Sequence, residues 1–207
     1  MKKVAIVGTG QTFHRSRRDD ADSIELVYEA VNRALSDAKI CIEDIDAVVF
    51  GSMDPFDGVN QPERYAFLGT GMVSKPFIKI STGGTTGITT ALAGYQHAAS
   101  GVFTTVLAVA LQRVGTPDDA QSVINTCVCP IWERQSGLGA ITVGALQACA
   151  HMHKYGSTDE ERALVAVKDR KNGSKNPYSH IKQPVTVEEV LNSKMVEWPI
   201  RLFECCP

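Results

Sequence analysis

The sequence has no excess of charge of either sign. Its 207 residues contain 21 Lys and Arg against 23 Asp and Glu, which gives a formal net charge of -2 at pH 7. A nucleic-acid-binding surface shows a basic excess, and an acidic tail shows as a run of Asp and Glu. Neither pattern is present. We therefore expect no nucleic-acid partner, and partners must be recognised by shape and local chemistry.

The sequence also lacks a long hydrophobic run and any low-complexity segment. Its Met-Lys-Lys start leads into the short apolar segment 4–7, which is a strand pattern rather than the core of a signal peptide. No uncharged stretch approaches the ~20 residues of a membrane-spanning helix. We expect a cytoplasmic protein with no membrane span, in which the six cysteines are mostly free thiols.

The first half of the chain alternates strand and helix patterns. Short apolar and β-branched runs predict strands at residues 4–7, 47–50, 77–80 and 102–110. Apolar residues at helical spacing predict helices at residues 23–38, 62–68 and 87–99, the first capped by Asp22 or Ser23. The alternation favours an α/β fold with a mostly parallel sheet between helices. The nearly continuous apolar run at 102–110 indicates a central strand covered on both faces.

The second half is less regular. Residues 115–139 are long and turn-rich, which is typical of a functional cover or a small subdomain. The pattern then predicts, in order, a helix at 139–155, a strand at 164–167, a polar loop at 168–179, a helix at 186–192 and a strand-like end at 200–207. The predicted division has three parts: an α/β core at 1–114, a loop subdomain at 115–185 and a return to the core at 186–207.

A glycine- and threonine-rich turn joins the predicted strand 77–80 to the next helix, and its sequence is Ser-Thr-Gly-Gly-Thr-Thr-Gly from Ser81. A strand that turns directly into a helix exposes backbone N–H groups at the positive end of the helix dipole. An enzyme of this architecture places its nucleophile there, yet Gly83 and Gly84 stand where a Cys or Ser is expected. We predict that the N–H of Gly84 stabilises an oxyanion. Thr85 and Thr86 are either substitute nucleophiles or caps of the helix.

Several separated segments carry a family resemblance. They are residues 4–12, the glycines and alanine at 87, 91 and 101, and residues 155–156, 168–173, 176–178, 184–191 and 205–207. Together they resemble the thiolase superfamily, in particular the sterol-carrier-protein X thiolases and their lipid-transfer-protein relatives. The resemblance implies a thiolase-like layered fold, of which this chain is similar to the N-terminal half plus the loop domain. The second half, which brings the family's catalytic His and a second Cys, has no counterpart here.

The resemblance also implies a reaction. Counting back from Gly87 and Gly101, the nucleophilic Cys of the family falls on Gly84, and glycine cannot form an acyl-enzyme. Lipid-transfer relatives that lack this Cys resemble retro-aldolases, which implies cleavage of a β-hydroxyacyl-CoA in lipid metabolism. Coenzyme A is then part of the substrate, and no permanently bound cofactor is implied. Two alternatives stay open: thiolase-type acyl transfer that uses another Cys, and a non-catalytic scaffold subunit.

Other residues are candidates for the substrate pocket. They are Gln112, Met53, Phe56, Cys127, Cys129 and His180. No metal site is predicted, because the spacing of Cys127 and Cys129 and of His151 and His153 does not match common zinc patterns. The apolar end of the chain and the family both imply a partner: a homodimer or hetero-oligomer, the second thiolase half as another chain, and a small zinc-ribbon and OB-fold protein.

Overall fold

The computed structural model describes residues 2–53, 56, 58 and 61–206. The chain forms two compact units. One consists of Met1–Thr12 and Arg17–Ala120, and the other of Phe13–Ser16 and Gln121–Pro207. The division into parts at 1–114, 115–185 and 186–207 stays a prediction.

A parallel sheet forms the centre of the first unit. Its strands are β1 (Ala47–Gly51), β2 (Phe77–Ile80) and β3 (Val106–Ala110), in the order β2-β1-β3. Gly51 of β1 is in register with Ile80 of β2 and with Ala110 of β3. The carboxyl ends of all three strands therefore meet at one edge, and the mostly parallel α/β architecture predicted from the sequence is confirmed.

The predicted position of the strand at 102–110 was wrong in two respects. β1 is the central strand of the described sheet, with all five residues buried, whereas β3 lies at its edge and begins at Val106. Leu107 and Val109 are buried, but Ala108 and Ala110 on the other face are exposed. Helix 86–100 packs on that second face, so the expected cover on both faces is present only in part within the described residues.

The strand predicted at residues 4–7 was also wrong. The structure assigns no strand there, and the side chains of Ile6 and Val7 are 87% and 62% exposed. The segment that follows lies tightly against the first helix, because a Cβ at Gly8 or Gly10 would collide with the carbonyl oxygens of Ala34 and Ala30. An apolar run becomes a strand only where a neighbouring strand accepts its hydrogen bonds, and no strand among the described residues does so.

Three helices cover the sheet of the first unit, as predicted: α1 (Ser23–Ala38), α2 (Glu63–Ala66) and α3 (Thr86–Ser100). Asp22 is the N-cap of α1, and it forms a capping box with Glu25. Val27 and Val31 of α1 pack into one apolar cluster with residues of β1 and β3. Gly94 lets α3 approach the sheet closely, because a Cβ there would lie 2.9 Å from the Cβ of Ala108.

The second unit is mainly helical. Its elements are α4 (Ala120–Ile124), α5 (Ala140–Tyr155), α6 (Asp159–Gly173), α7 (Val187–Leu191) and the antiparallel pair β4 (Met195–Glu197) and β5 (Ile200–Arg201). The first residue of α4, Ala120, is also the last residue of the first unit. The predicted helices at 139–155 and 186–192 are confirmed. Thr186 caps α7 in a capping box with Glu189.

Three predictions in this unit were wrong. Residues 164–167, predicted as a strand, lie inside α6, and so do residues 168–173 of the predicted polar loop. The capping box of Thr158 and Glu161 starts this helix, and a four-residue apolar run does not by itself distinguish strand from helix. The strand-like end predicted at 200–207 is mostly not a strand, because β5 spans two residues before a 3-10 turn at Leu202–Glu204.

No helix in the described part of the chain is long and apolar enough to cross a membrane.

Candidate active site

The bend predicted between strand and helix is present at the end of β2. The chain leaves β2 at Ile80, passes through a 3-10 turn at Gly83–Thr85 and enters α3 at Thr86. Gly83 has a φ of 62°, which lies in the left-handed region that favours glycine. Gly84 does not have a positive φ, and a Cβ built on it meets no atom within 4 Å. Position 83 therefore favours glycine, whereas position 84 has room for a side chain.

The hydroxyl groups of the bend are bound to nearby backbone. Thr85 Oγ1 donates to the carbonyl oxygen of Thr82 at 2.9 Å, and Thr86 Oγ1 donates to that of Gly83 at 2.7 Å. Thr86 Oγ1 also accepts the N–H of Thr82 at 3.0 Å. No titratable side chain among the described residues is hydrogen-bonded to either hydroxyl. Neither hydroxyl accepts an N–H of the first turn of α3, so neither is a side-chain cap of that helix. A nucleophilic role for Thr85 or Thr86 stays a prediction.

Backbone donors of the bend divide into two groups. The N–H of Thr85 donates to Thr82 O at 3.4 Å, and the N–H of Thr86 donates to Gly83 O. The N–H groups of Gly83 and Gly84 have no acceptor in the part of the chain that the structure describes. Gly84 is exposed, and α3 places its positive end at this point. The arrangement can donate a hydrogen bond to a negatively charged oxygen.

Hydrogen bonds join the end of β1 to the ends of both neighbouring strands. The N–H of Ser52 donates to Ile80 O at 3.2 Å, and that of Leu111 donates to Gly51 O at 2.9 Å. Gly51 lies against the hydroxyl of Thr90 in α3, where a Cβ would collide with it. The exits of all three strands thus form one hydrogen-bonded edge, and α3 packs directly on it.

Two predicted pocket residues lie at this edge and contact each other. The side-chain amide of Gln112 accepts the N–H of Met53 at 2.8 Å and donates to the Met53 carbonyl oxygen at 3.2 Å. Phe56 is buried, with 3% of its surface exposed. Their contacts with a substrate stay predictions.

The other predicted pocket residues belong to the second unit. Cys127 is exposed at the end of a 3-10 turn, and Cys129 is half-buried. The N–H of Cys129 donates to the carboxylate of Glu133 at 2.6 Å. His180 is exposed, and its Nε2 lies 3.3 Å from Ser16 Oγ. Their substrate-binding roles stay predictions.

All six cysteines are free thiols. Among the described residues, no three His, Cys, Asp or Glu side chains come close enough together to hold a metal ion. The bend itself contributes backbone N–H groups and threonine hydroxyls.

Sequence reasoning missed three charged residues that support the sheet: the pair Glu63 and Lys79, and Asp46 at the opposite, amino ends of the strands. Glu63 Oε2 lies 3.0 Å from Lys79 Nζ in β2, and the two side chains are 11% and 19% exposed. This contact is an ion pair without hydrogen-bond alignment. Asp46 accepts the N–H groups of Thr104 and Thr105, and these hydrogen bonds, that of Thr105 foremost, lower the pKa of Asp46. The sequence offered two signals for these contacts: Lys79 is a charged residue inside a predicted strand, and Asp46 directly precedes another.

Comparison with curated proteins shows similarity to acyl-CoA enzymes. An acetyl-CoA acetyltransferase of Methanothermobacter thermautotrophicus is 30% identical over all of this chain and 54% of its own length. A 17-hydroxy-3-oxo-4-pregnene-20-carboxyl-CoA lyase of Mycobacterium tuberculosis is 30% identical over 99% of this chain and 54% of its own length. Sterol carrier protein 2 of Gallus gallus is 26% identical over 100% of this chain and 40% of its own length. The chain thus spans about half the length of such relatives.

Solved structures give the same picture. The Ltp2-ChsH2(DUF35) aldolase matches 98% of this chain and 52% of its own, with a TM-score of 0.77 and 27% identity. An acetyl-CoA acetyltransferase from Syntrophomonas wolfei shares the fold over 82% of this chain, with a TM-score of 0.62 and 19% identity. The family model of the thiolase N-terminal domain matches residues 4–197. With the strand-to-helix bend in place, the chain belongs to the thiolase superfamily.

Proposed function

We propose that the protein acts on an acyl-CoA thioester at the Gly84 bend and cleaves a carbon–carbon bond by a retro-aldol reaction on a β-hydroxyacyl-CoA. The observation that carries the proposal is the bend itself. Position 84 has no side chain, an open space in front of it and an N–H without an acceptor among the described residues. Coenzyme A enters as part of the substrate.

The reaction needs no covalent enzyme intermediate. A base removes the proton of the β-hydroxyl, the Cα–Cβ bond breaks, and its electron pair moves into the thioester as an enolate. The β-carbon leaves as a ketone or aldehyde, and protonation of the enolate carbon gives the shortened acyl-CoA. The N–H of Gly84 would stabilise the enolate oxygen, an effect of about 3 kcal/mol per donor. The acid and base are assigned to the half that this chain does not contain.

Two similarities support the lyase. One relative is named a carboxyl-CoA lyase, and one structural neighbour is named an aldolase. The acetyl-CoA acetyltransferases support thiolase-type acyl transfer as the second candidate. That reaction requires a thiolate, which Cys127 or Cys129 would have to supply. A scaffold subunit, which shapes the active site of a partner, is the third candidate, because position 84 carries no nucleophile.

An exposed apolar surface on α3 supports the proposal of a protein partner. Three large apolar side chains lie along one exposed side of α3, with Ile88 72%, Leu92 52% and Tyr95 45% exposed. A second thiolase half, supplied by another chain in a hetero-oligomer, would cover such a surface; a homodimer is the alternative. The neighbour named Ltp2-ChsH2(DUF35) supports the proposal that a small zinc-ribbon and OB-fold protein also binds. We place the assembly in the cytoplasm.

Product analysis with the isolated assembly tests the three candidates. A β-hydroxyacyl-CoA without free coenzyme A should give a shortened acyl-CoA and a ketone or aldehyde, measured by liquid chromatography and mass spectrometry. Absence of both products would contradict the lyase. A β-ketoacyl-CoA with free coenzyme A then separates the remaining two, because the acyltransferase yields two acyl-CoA products and a scaffold alone yields none.

A further inference from the structure

The side-chain amide of Gln112 is bound to the backbone of a single residue. Its Oε1 accepts the Met53 N–H at 2.8 Å, and its Nε2 donates to the Met53 carbonyl oxygen at 3.2 Å. Met53 follows β1 and Gln112 follows β3, just beyond the hydrogen bond from Leu111 N–H to Gly51 O. The amide therefore continues the pairing of the two strands beyond the end of their backbone ladder.

A glutamine fits this position because its amide combines an oxygen that accepts with an NH2 group that donates. The backbone of Met53 presents an N–H and a carbonyl oxygen and so needs both. An ionised glutamate of the same shape has acceptors alone, so its second oxygen would repel the Met53 carbonyl oxygen and push the side chain away, which weakens the bond to the Met53 N–H as well. An alanine would lose both bonds.

We infer that Gln112 is a positioning residue that fixes the backbone of Met53 at the sheet edge from which the Gly84 bend also leaves. This inference rests on the proposed function for its catalytic consequence. The oxygen and the nitrogen of the amide each bind Met53, so the structure gives this side chain a role in holding that backbone, in addition to the substrate contact expected from the sequence. Gln112 acts on acyl-CoA binding through the β1 exit, whereas the Gly84 N–H acts on the reacting oxygen.

Amide hydrogen exchange of the full chain, measured by NMR, tests the contact without reference to activity. Gln112→Ala should accelerate exchange at the Met53 amide about tenfold, since it removes that amide's hydrogen-bond acceptor. Gln112→Glu should show a pH profile: after correction for intrinsic exchange, protection should rise as pH falls through the pKa of the new carboxyl, because the protonated acid again offers a donor. The wild type should show no such transition.

Gln96→Glu is the matched control, because Gln96 is exposed on α3 and the same charge change there should leave Met53 exchange unaltered. Unchanged Met53 exchange in folded Gln112→Ala and Gln112→Glu would overturn the inference. In the active assembly, Gln112→Ala should raise KM about tenfold and leave kcat within about twofold. If exchange responds but KM does not, the catalytic part is overturned. If the wild type cleaves no acyl-CoA, the proposed function fails while the measured contact stands.

Discussion

Replacement of Gly84 by cysteine tests the interpretation of the bend directly. A Cβ at this position meets no atom within 4 Å, and the residue does not have a positive φ. We therefore expect Gly84→Cys to fold with a change of about 0.5 kcal/mol or less in the free energy of unfolding. Gly83→Cys is the matched control, because a φ of 62° costs a non-glycine residue about 1–2 kcal/mol.

The new thiol lies at the positive end of α3, which lowers the pKa of a cysteine and raises its thiolate fraction. A shift of one pKa unit increases that fraction about tenfold near neutral pH. Alkylation by iodoacetamide should therefore be about tenfold faster at position 84 than at the exposed Cys41. Peptide mass mapping separates the new site from the six native cysteines.

The thiolate should also attack the carbonyl carbon of an acyl-CoA, expel coenzyme A as a thiolate and retain the acyl group as a thioester. Intact-protein mass spectrometry would detect the added acyl mass, which Gly84→Ala and Gly83→Cys should not acquire. Suppose that Gly84→Cys folds, that its new thiol is alkylated no faster than Cys41, and that it accepts no acyl group. This result would refute the interpretation that position 84 is where the family carries its nucleophile.

Three further predictions concern the support of the sheet and of the bend. Thr86→Val should lower the free energy of unfolding by about 1 kcal/mol, measured by urea denaturation, because it leaves Thr82 N–H without its acceptor while Gly83 O keeps the N–H of residue 86; Thr86→Ser should cost less than half as much. Glu63→Ala should cost about 2–3 kcal/mol, since it leaves the mostly buried Lys79 without this carboxylate, and a smaller loss in Glu63→Met with Lys79→Met would show the coupling. The lowered pKa of Asp46 means that its contribution is present above the unfolded-state pKa and is lost as pH falls through the folded-state pKa; Asp46→Asn should remove that part of the acid dependence, and an unchanged stability–pH profile would contradict the assignment.

Much of the fold could be predicted because local signals and tertiary packing agree. The helix from Ser23 to Ala38 has both an apolar stripe and the capping box of Asp22, and the strands at 47–51 and 77–80 stand between clear turns. The position of Gly84 in the bend also followed from sequence, since a strand run stops at two glycines. The hydrogen bonds of the Thr85 and Thr86 hydroxyls could not be predicted, because the sequence does not show which backbone groups a threonine hydroxyl binds.

The errors in the second unit have a local cause. Residues 164–167 are apolar enough for a strand, but Leu164 and Val165 are 55% and 58% exposed on α6 while Ala163 is buried. The apolar run therefore did not mark the buried face. The signal that decides the element is the start of the helix, where Thr158 and Glu161 cap each other.

The errors in the first unit have a different cause, and it bears on the proposed assembly. The segment 4–7 carries the apolar residues of a buried strand, yet Ile6 is 87% exposed, and Ala108 stays exposed although its face of β3 packs on α3. Ile88 and Leu92 on α3 share this property. Burial of apolar surface away from water lowers the free energy by about 25 cal/mol per Å². The exposed apolar residues of the first segment and of α3 are therefore the surface that we propose the second thiolase half buries.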